Sequence, residues 1–127
     1  MAEVRKIYYP TGELKSKVFV VNNKKNGEYK EYYKNGQLGL ICSYINGKRN
    51  GEAKRYHKNG QLHYIYSYID DKINGEHTSY LSNGQLWEII SYKNDGLNGE
   101  YKSYYDNRQL DKICTYIDGK KMSNSVY

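Results

Sequence analysis

Apolar and polar residues alternate along this chain in short runs, and turn-forming residues interrupt the runs at a fixed interval. The clearest stretch is Asn26 to Arg49, NGEYKEYYKNGQLGLICSYINGKR. It recurs as Asn50 to Ile73, Asn74 to Leu97 and Asn98 to Lys121, with a spacing of 24 residues and no insertion. Strict periodicity of this length marks an array of stacked units. Each unit holds two runs of about eight or nine residues, rich in Tyr, Ile and Leu and free of Pro, which read as strands. In the first full unit they are Gly27 to Lys34 and Gln37 to Ile45. No helical period survives a turn signal every dozen residues.

Numbering each unit from its leading Asn, positions 10–11 are Asn35-Gly36, Asn59-Gly60, Asn83-Gly84 and Asn107-Arg108. Asn-Gly between strands predicts a two-residue type I′ hairpin, which needs two positive φ angles. Arg108 breaks that pattern and predicts a strained or altered turn. A second turn falls at positions 21–24, as in Asn46 to Arg49 and Asp118 to Lys121, and is predicted as a four-residue loop. With these loops, every second-strand position faces the same position number on both neighbouring strands. Position 19 faces 2, 17 faces 4 and 13 faces 8, so one ladder continues without drift.

This register places Tyr44, Tyr68, Tyr92 and Tyr116 opposite Gly27, Gly51, Gly75 and Gly99. The tyrosine rings are expected to shield the bare glycine backbone. The same face, taken as the packed one, holds Leu38, Leu62, Leu86 and Leu110 opposite Tyr33, His57, Leu81 and Tyr105. The other face carries Tyr32, Tyr56, Tyr80 and Tyr104, with Glu28, Glu52, Glu76, Glu100, several lysines and Ile41, Ile65, Ile89 and Ile113. Trp87 falls there as well. Those four tyrosines and Trp87 form the candidate interaction surface, although Trp87 also suits simple packing on Tyr80.

Residues 2–25 follow the register imperfectly, lacking the first Gly and carrying Lys17 in place of Ile, as a worn terminal unit does. The five units are thus residues 2–25, 26–49, 50–73, 74–97 and 98–121, within a single domain of residues 1–127. The tail, residues 122–127, is too short for another unit and either lies over the last edge or is disordered.

Composition adjusts this picture. Tyr supplies 17 residues against one Trp and one Phe, which suits a thin, half-wet sheet rather than a thick core. The formal net charge of +6 favours anionic partners, but Lys on solvated strands is the simpler explanation. Glu at position 3 of every full unit opposes a polyanion, even though rows of Tyr and Lys resemble a stacking platform for single strands. The basic turns at 24–25, 48–49 and 120–121 are reachable by phosphate but read more simply as solvated. Cys42 and Cys114 lie three units apart, roughly 28 Å at the usual strand spacing, too far for a disulfide. Both read as buried, reduced thiols.

No apolar run reaches the roughly 20 residues of a membrane span, and the first residues lack a signal-peptide core. A cytoplasmic location is expected. His57 and His77 fall on the packed face and His63 on the other, without metal-ligand spacing. No nucleophile, phosphate or dinucleotide motif is present. Ser43, Ser67 and Ser91 recur as a sheet position. No catalytic residue, metal or cofactor is expected.

The recurring Asn26-Gly27-Glu28, Tyr32, Asn35-Gly36-Gln37-Leu38, Tyr44 and Gly47-Lys48 resemble MORN repeats of the variant bacterial and viral form, over about residues 2–121. The resemblance implies an all-β, elongated, twisted single-layer antiparallel sheet of tandem hairpins, with about ten strands. It also implies a non-enzymatic scaffold that binds a protein partner or self-associates as a homo-oligomer. Anionic lipid or nucleic acid is the alternative ligand. Related bacterial chains imply a further alternative, an antitoxin that neutralises a partner.

Overall fold

The structure, a computed structural model, describes the backbone of residues 2–126 and the side chains of residues 2–122. Its strands are β1 (Ala2–Tyr8), β2 (Leu14–Val21), β3 (Lys24–Tyr32), β4 (Leu38–Ile45), β5 (Lys48–Arg49), β6 (Gly51–Tyr56), β7 (Leu62–Ile69), β8 (Lys72–Ile73), β9 (Gly75–Tyr80), β10 (Leu86–Lys93), β11 (Gly96–Tyr104), β12 (Leu110–Ile117) and β13 (Lys120–Val126). They form one open antiparallel meander in sequence order. The two-residue strands β5 and β8 are the leading ends of β6 and β9, cut off by Asn50 and Asn74. The tail does lie along the last edge: β13 pairs with β12, Lys112 opposite Val126 and Ile117 opposite Lys120. Tyr127 lies outside the described residues.

The bodies of the strands keep the register read from the sequence. Tyr29 faces Cys42 and Gly27 faces Tyr44, and Ile41 faces Lys30 on one side and Lys54 on the other. Both turn types differ from expectation. At Asn35-Gly36 only the glycine has a positive φ, 91°. Gly36 N–H donates to Tyr33 C=O at 2.9 Å, and Tyr33 N–H donates to Gln37 C=O at 2.8 Å. This is a type I turn followed by a residue in the left-handed region, the three-residue hairpin loop. Asn35 serves it through its side chain, accepting the Gln37 N–H at 3.0 Å. Pro10 suits the same turn in the first unit, because Pro presets φ at its second residue. Arg108 keeps the turn unaltered and takes φ 71° itself.

The type I′ turns lie at the other end of the unit. Asn46 and Gly47 have φ of 49° and 85°, and Asp70 and Asp71 have 48° and 72°. Ile45 therefore pairs with Lys48 across two residues instead of with Asn50 across four. The two residues saved in the loop reappear as a bulge at positions 1–2. Asn50 N–H donates to Ser43 C=O at 2.9 Å, after which the strand resumes its register. The two departures cancel, which is why the strand bodies were placed correctly.

The bulge gives the position 2 glycines their purpose. Gly27, Gly51, Gly75 and Gly99 have φ of 109°, 91°, 96° and 108°, a backbone that side-chain-bearing residues adopt only with strain. Tyrosine shielding is not their role. A Cβ on Gly51 or Gly75 would meet open space, and one on Gly99 would sit 2.9 Å from Ser91 Cβ.

Burial separates the two faces. One holds Val18, Val20, Cys42, Ala53, Tyr68 and Cys114, all buried, with Ala53 only 1% exposed. Tyr29, Tyr44, Tyr66 and Ile73 pack on this thin core. Single sheets of this kind are held by neighbour-to-neighbour contacts between units, not by a central core.

Candidate interaction surface

The three-residue loop decides where the candidate tyrosines stand. Because of the bulge beyond it, Tyr32 pairs with Leu38, Tyr56 with Leu62, Tyr80 with Leu86 and Tyr104 with Leu110. The leucine column thus joins the tyrosines of position 7 and leaves the packed face, to which the sequence had assigned it. The tyrosines are half-buried and line shallow depressions. One of about 360 Å³ is bounded by Tyr80, Leu86, Tyr104 and Arg108, and one of about 200 Å³ by Leu38 and Tyr56. These two grooves lie at equivalent junctions, between the second and third units and between the fourth and fifth.

Trp87 is 44% exposed but does not join those tyrosines. It occupies the bulge position held by Gly39 and His63 in the two preceding units. There, a Cβ on Gly39 would lie 3.3 Å from the Tyr33 ring, and His63 stacks on His57 at 4.0 Å. Both ring partners belong to the packed face, so the bulge turns this position away from Tyr80. The same cause corrects the placement of His63, expected on the face opposite His57.

Position 8 has a function that the sequence did not reveal. In the first three units its side chain crosses to the next unit and bonds a main-chain carbonyl there. Tyr9 Oη donates to Tyr32 C=O at 2.6 Å, and Tyr33 Oη to Tyr56 C=O at 2.5 Å. His57 Nε2 lies 2.9 Å from Tyr80 C=O. The constant 23-residue separation of a polar-tipped ring from its acceptor was the available signal.

The histidines lead into an aromatic stack. His77 lies against Tyr64 and Tyr66 at ring separations of 5.1 and 5.2 Å. Burial lowers the pKa of both His63 and His77 from 6.5, and for His63 the neighbouring His57 and Arg55 add to the effect. Burial also pushes the Tyr66 hydroxyl up, with the Tyr68 hydroxyl contributing. Among the described residues no three His, Cys, Asp or Glu side chains gather as a metal site would require. The stacked rings of His63 and His77 fill space among the tyrosines.

The tyrosines of position 19 also have identifiable partners. Tyr44 stands between Lys25 and Arg49, and Tyr68 between Arg49 and Ile73. Arg49 pairs across the ladder with Tyr44 and lies 4.3 Å over the Tyr68 ring, donating to Tyr68 Oη at 2.9 Å and to Asp71 Oδ1 at 2.6 Å. Lys25 sits 5.0 Å over Tyr44. The sequence placed these cations in solvated turns; the structure instead engages Lys25 and Arg49 with aromatic faces, an attraction between charge and ring quadrupole. Cys42 and Cys114 are buried thiols, and burial raises the Cys42 pKa.

Comparison with known protein families gives one result that decides the matter. The MORN repeat variant matches five times, at residues 4–22, 25–46, 49–70, 73–94 and 97–118. The chain belongs to the MORN-repeat family. Its five matched repeats begin and end within a few residues of the units read from the sequence. Comparison with curated protein sequences gives no match for this MORN-repeat chain. Among solved structures it is similar to "Crystal Structure of TarM", at 12% identity and a TM-score of 0.47, over 83% of this chain and 20% of that one. It is also similar to "Crystal structure of GtfA/B complex bound to UDP and GlcNAc", at 15% identity and a TM-score of 0.33, over 90% and 24% of the two chains. The MORN-repeat chain therefore spans about a fifth to a quarter of the length of those structures. Among the described residues, no helix is long and apolar enough to cross a membrane.

Proposed function

We propose that this MORN-repeat chain is a non-enzymatic, cytoplasmic scaffold that binds another protein, or a second copy of itself, through a sheet face or an end strand. The observation that carries this is the open sheet. Val4, Ile7, Tyr8 and Phe19 are exposed at one end and Met122 at the other. Exposed apolar residues grouped in this way mark interaction sites, and an unpaired end strand accepts a further strand. The absence of catalysis rests on how the polar side chains are used. The histidines stack or brace carbonyls, and the recurring serines sit in strands. A cytoplasmic setting agrees with two buried, reduced thiols.

The test uses the full chain as an immobilised bait, with light scattering of the free chain alongside. Retention of a partner in high salt, or a stable oligomer, is the expected result. A strictly monomeric chain that retains nothing at any ionic strength refutes the scaffold function. Retention that collapses between low and moderate salt indicates an anionic surface ligand instead.

A further inference from the structure

The first repeat differs from the other four at three positions that meet in space. Where later units carry Glu28, Glu52, Glu76 and Glu100, it has Val4. Where they carry Ile41, Ile65, Ile89 and Ile113, it has Lys17, and where they carry Ser43, Ser67, Ser91 and Thr115, it has Phe19. Val4 pairs with Phe19 across β1 and β2. Lys6 pairs with Lys17, and Lys17 with Lys30 on β3. The result is a row of three lysines beside an apolar pair, around a cavity of about 340 Å³ that Glu28 also lines.

The lysine row is costly, because like charges directly opposite each other on a sheet repel. In the next unit the chain avoids this cost by placing Ile41 between Lys30 and Lys54. One carboxylate relieves it only in part: Glu28 pairs with Lys30 at 3.2 Å. Among the described residues, Lys6 and Lys17 form no ion pair. Protection of an edge against aggregation explains a lysine on the outermost strand. It explains Lys6 but not Lys17 and Lys30, which stand one and two strands inward. Val4 and Phe19, meanwhile, are 46% and 48% exposed. Cationic and apolar groups side by side call for a ligand that is both anionic and apolar.

Among the described residues β1 pairs only with β2, so its outer edge presents unpaired backbone groups next to this cavity. We propose that the first repeat is a docking site for an extended acidic–apolar segment of a partner protein, which adds as a strand along β1. Residues two apart on a strand share a face. The guest therefore places Asp or Glu beside Lys6 and an apolar side chain beside Val4, separated by one residue. A second copy of this chain is a poor guest. Its end strands are both net basic: β1 carries Arg5 and Lys6 against a single Glu3 that already pairs with Arg5, and β13 carries Lys120 and Lys121 with no acidic residue. The proposal rests on the protein-binding function above and specifies one surface and one partner chemistry for it.

The test is a titration of the isotopically labelled full chain, followed by amide NMR, with the blocked peptide Glu-Thr-Leu-Thr-Glu-Thr-Leu. Amide shifts are expected in Ala2 to Tyr8, Lys17, Phe19 and Lys30, with new exchange protection along β1. The triple reversion Val4→Glu, Lys17→Ile, Phe19→Ser installs residues the other repeats already carry, so it preserves the fold. It should bind the peptide about tenfold more weakly or worse. A peptide with Lys in place of Glu should not bind. The proposal is overturned if the reverted chain binds equally well, or if no shift appears in the first repeat. It is equally overturned if a peptide copying Lys120 to Val126, an oligothymidylate or dodecyl phosphate binds there more tightly. Shifts confined to the Tyr56 and Tyr80 grooves would remove this site while leaving the scaffold function intact. No shift from any probe, together with an empty bait and a monomeric chain, would remove both.

Discussion

The position 2 glycines give the most direct test of how the sheet is built. Gly75 has φ of 96°, and a Cβ added to it would have nothing within 4 Å. Gly75→Ala therefore isolates the backbone cost from any steric one. Forcing a side-chain-bearing residue into positive φ costs roughly 1–2 kcal/mol. Ala gives back about 0.4–1 kcal/mol by restricting the unfolded chain. The net destabilisation should be about 1 kcal/mol, or about 3–5 °C in Tm for a chain of this size. Gly99→Ala carries the same backbone cost plus a contact of 2.9 Å with Ser91 Cβ, so it should lose clearly more. Far-UV circular dichroism during heating and in urea reads both, with amide exchange checking that unfolding stays cooperative across repeats. A Gly75→Ala chain as stable as the parent would refute the bulge as the reason for these glycines. Equal losses at Gly75 and Gly99 would refute the close approach at Ser91.

Other consequences can be measured on the same samples. Arg108→Gly relieves the strain of holding a Cβ at φ 71° in the last turn and should stabilise the chain by about 0.5 kcal/mol after the added flexibility of Gly is subtracted; a lower urea midpoint would contradict it. Tyr33→Phe strips the hydroxyl from the Tyr56 carbonyl and should cost about 1 kcal/mol, whereas Tyr33→Ala also uncovers Gly39 and should cost about 2 kcal/mol or more. His63 and His77 have pKa values lowered by burial, so the folded chain binds fewer protons than the unfolded one just below pH 6.5. Their contribution is fully present above that pH and is lost as the pH falls from it through the lowered folded pKa values. His77→Phe should flatten this part of the stability profile, and an unchanged profile would rule out His77 as its source.

The period, the strand bodies and the membership of each repeat were legible because they depend on alternation and spacing, which local sequence states outright. The turns were misassigned for a specific reason. Asn35-Gly36 carries the strongest type I′ signal, yet Asn35 is used for its side chain, which caps the Gln37 N–H. The true type I′ turns include Asn22-Asn23 and Asp70-Asp71, which lack Gly but tolerate positive φ. Everything misplaced near the turns follows from that exchange: the leucine column, Trp87 and His63 each changed face because a bulge inserts one residue. The braces of Tyr9, Tyr33 and His57 to the next repeat join residues whose partnership appears only once the units are stacked. The site in the first repeat was visible in sequence only as wear; its three departures acquire meaning when the strands set Val4 beside Phe19 and Lys6 beside Lys17.

The cancellation between the short loop and the positions 1–2 bulge has a lasting consequence. Each unit hands the next an identical starting point, so tandem duplication or loss of one such block leaves every junction intact. The molecule is in effect a ruler with graduations of about 10 Å, two strand spacings each. Its two ends can be moved apart or together without redesigning either one.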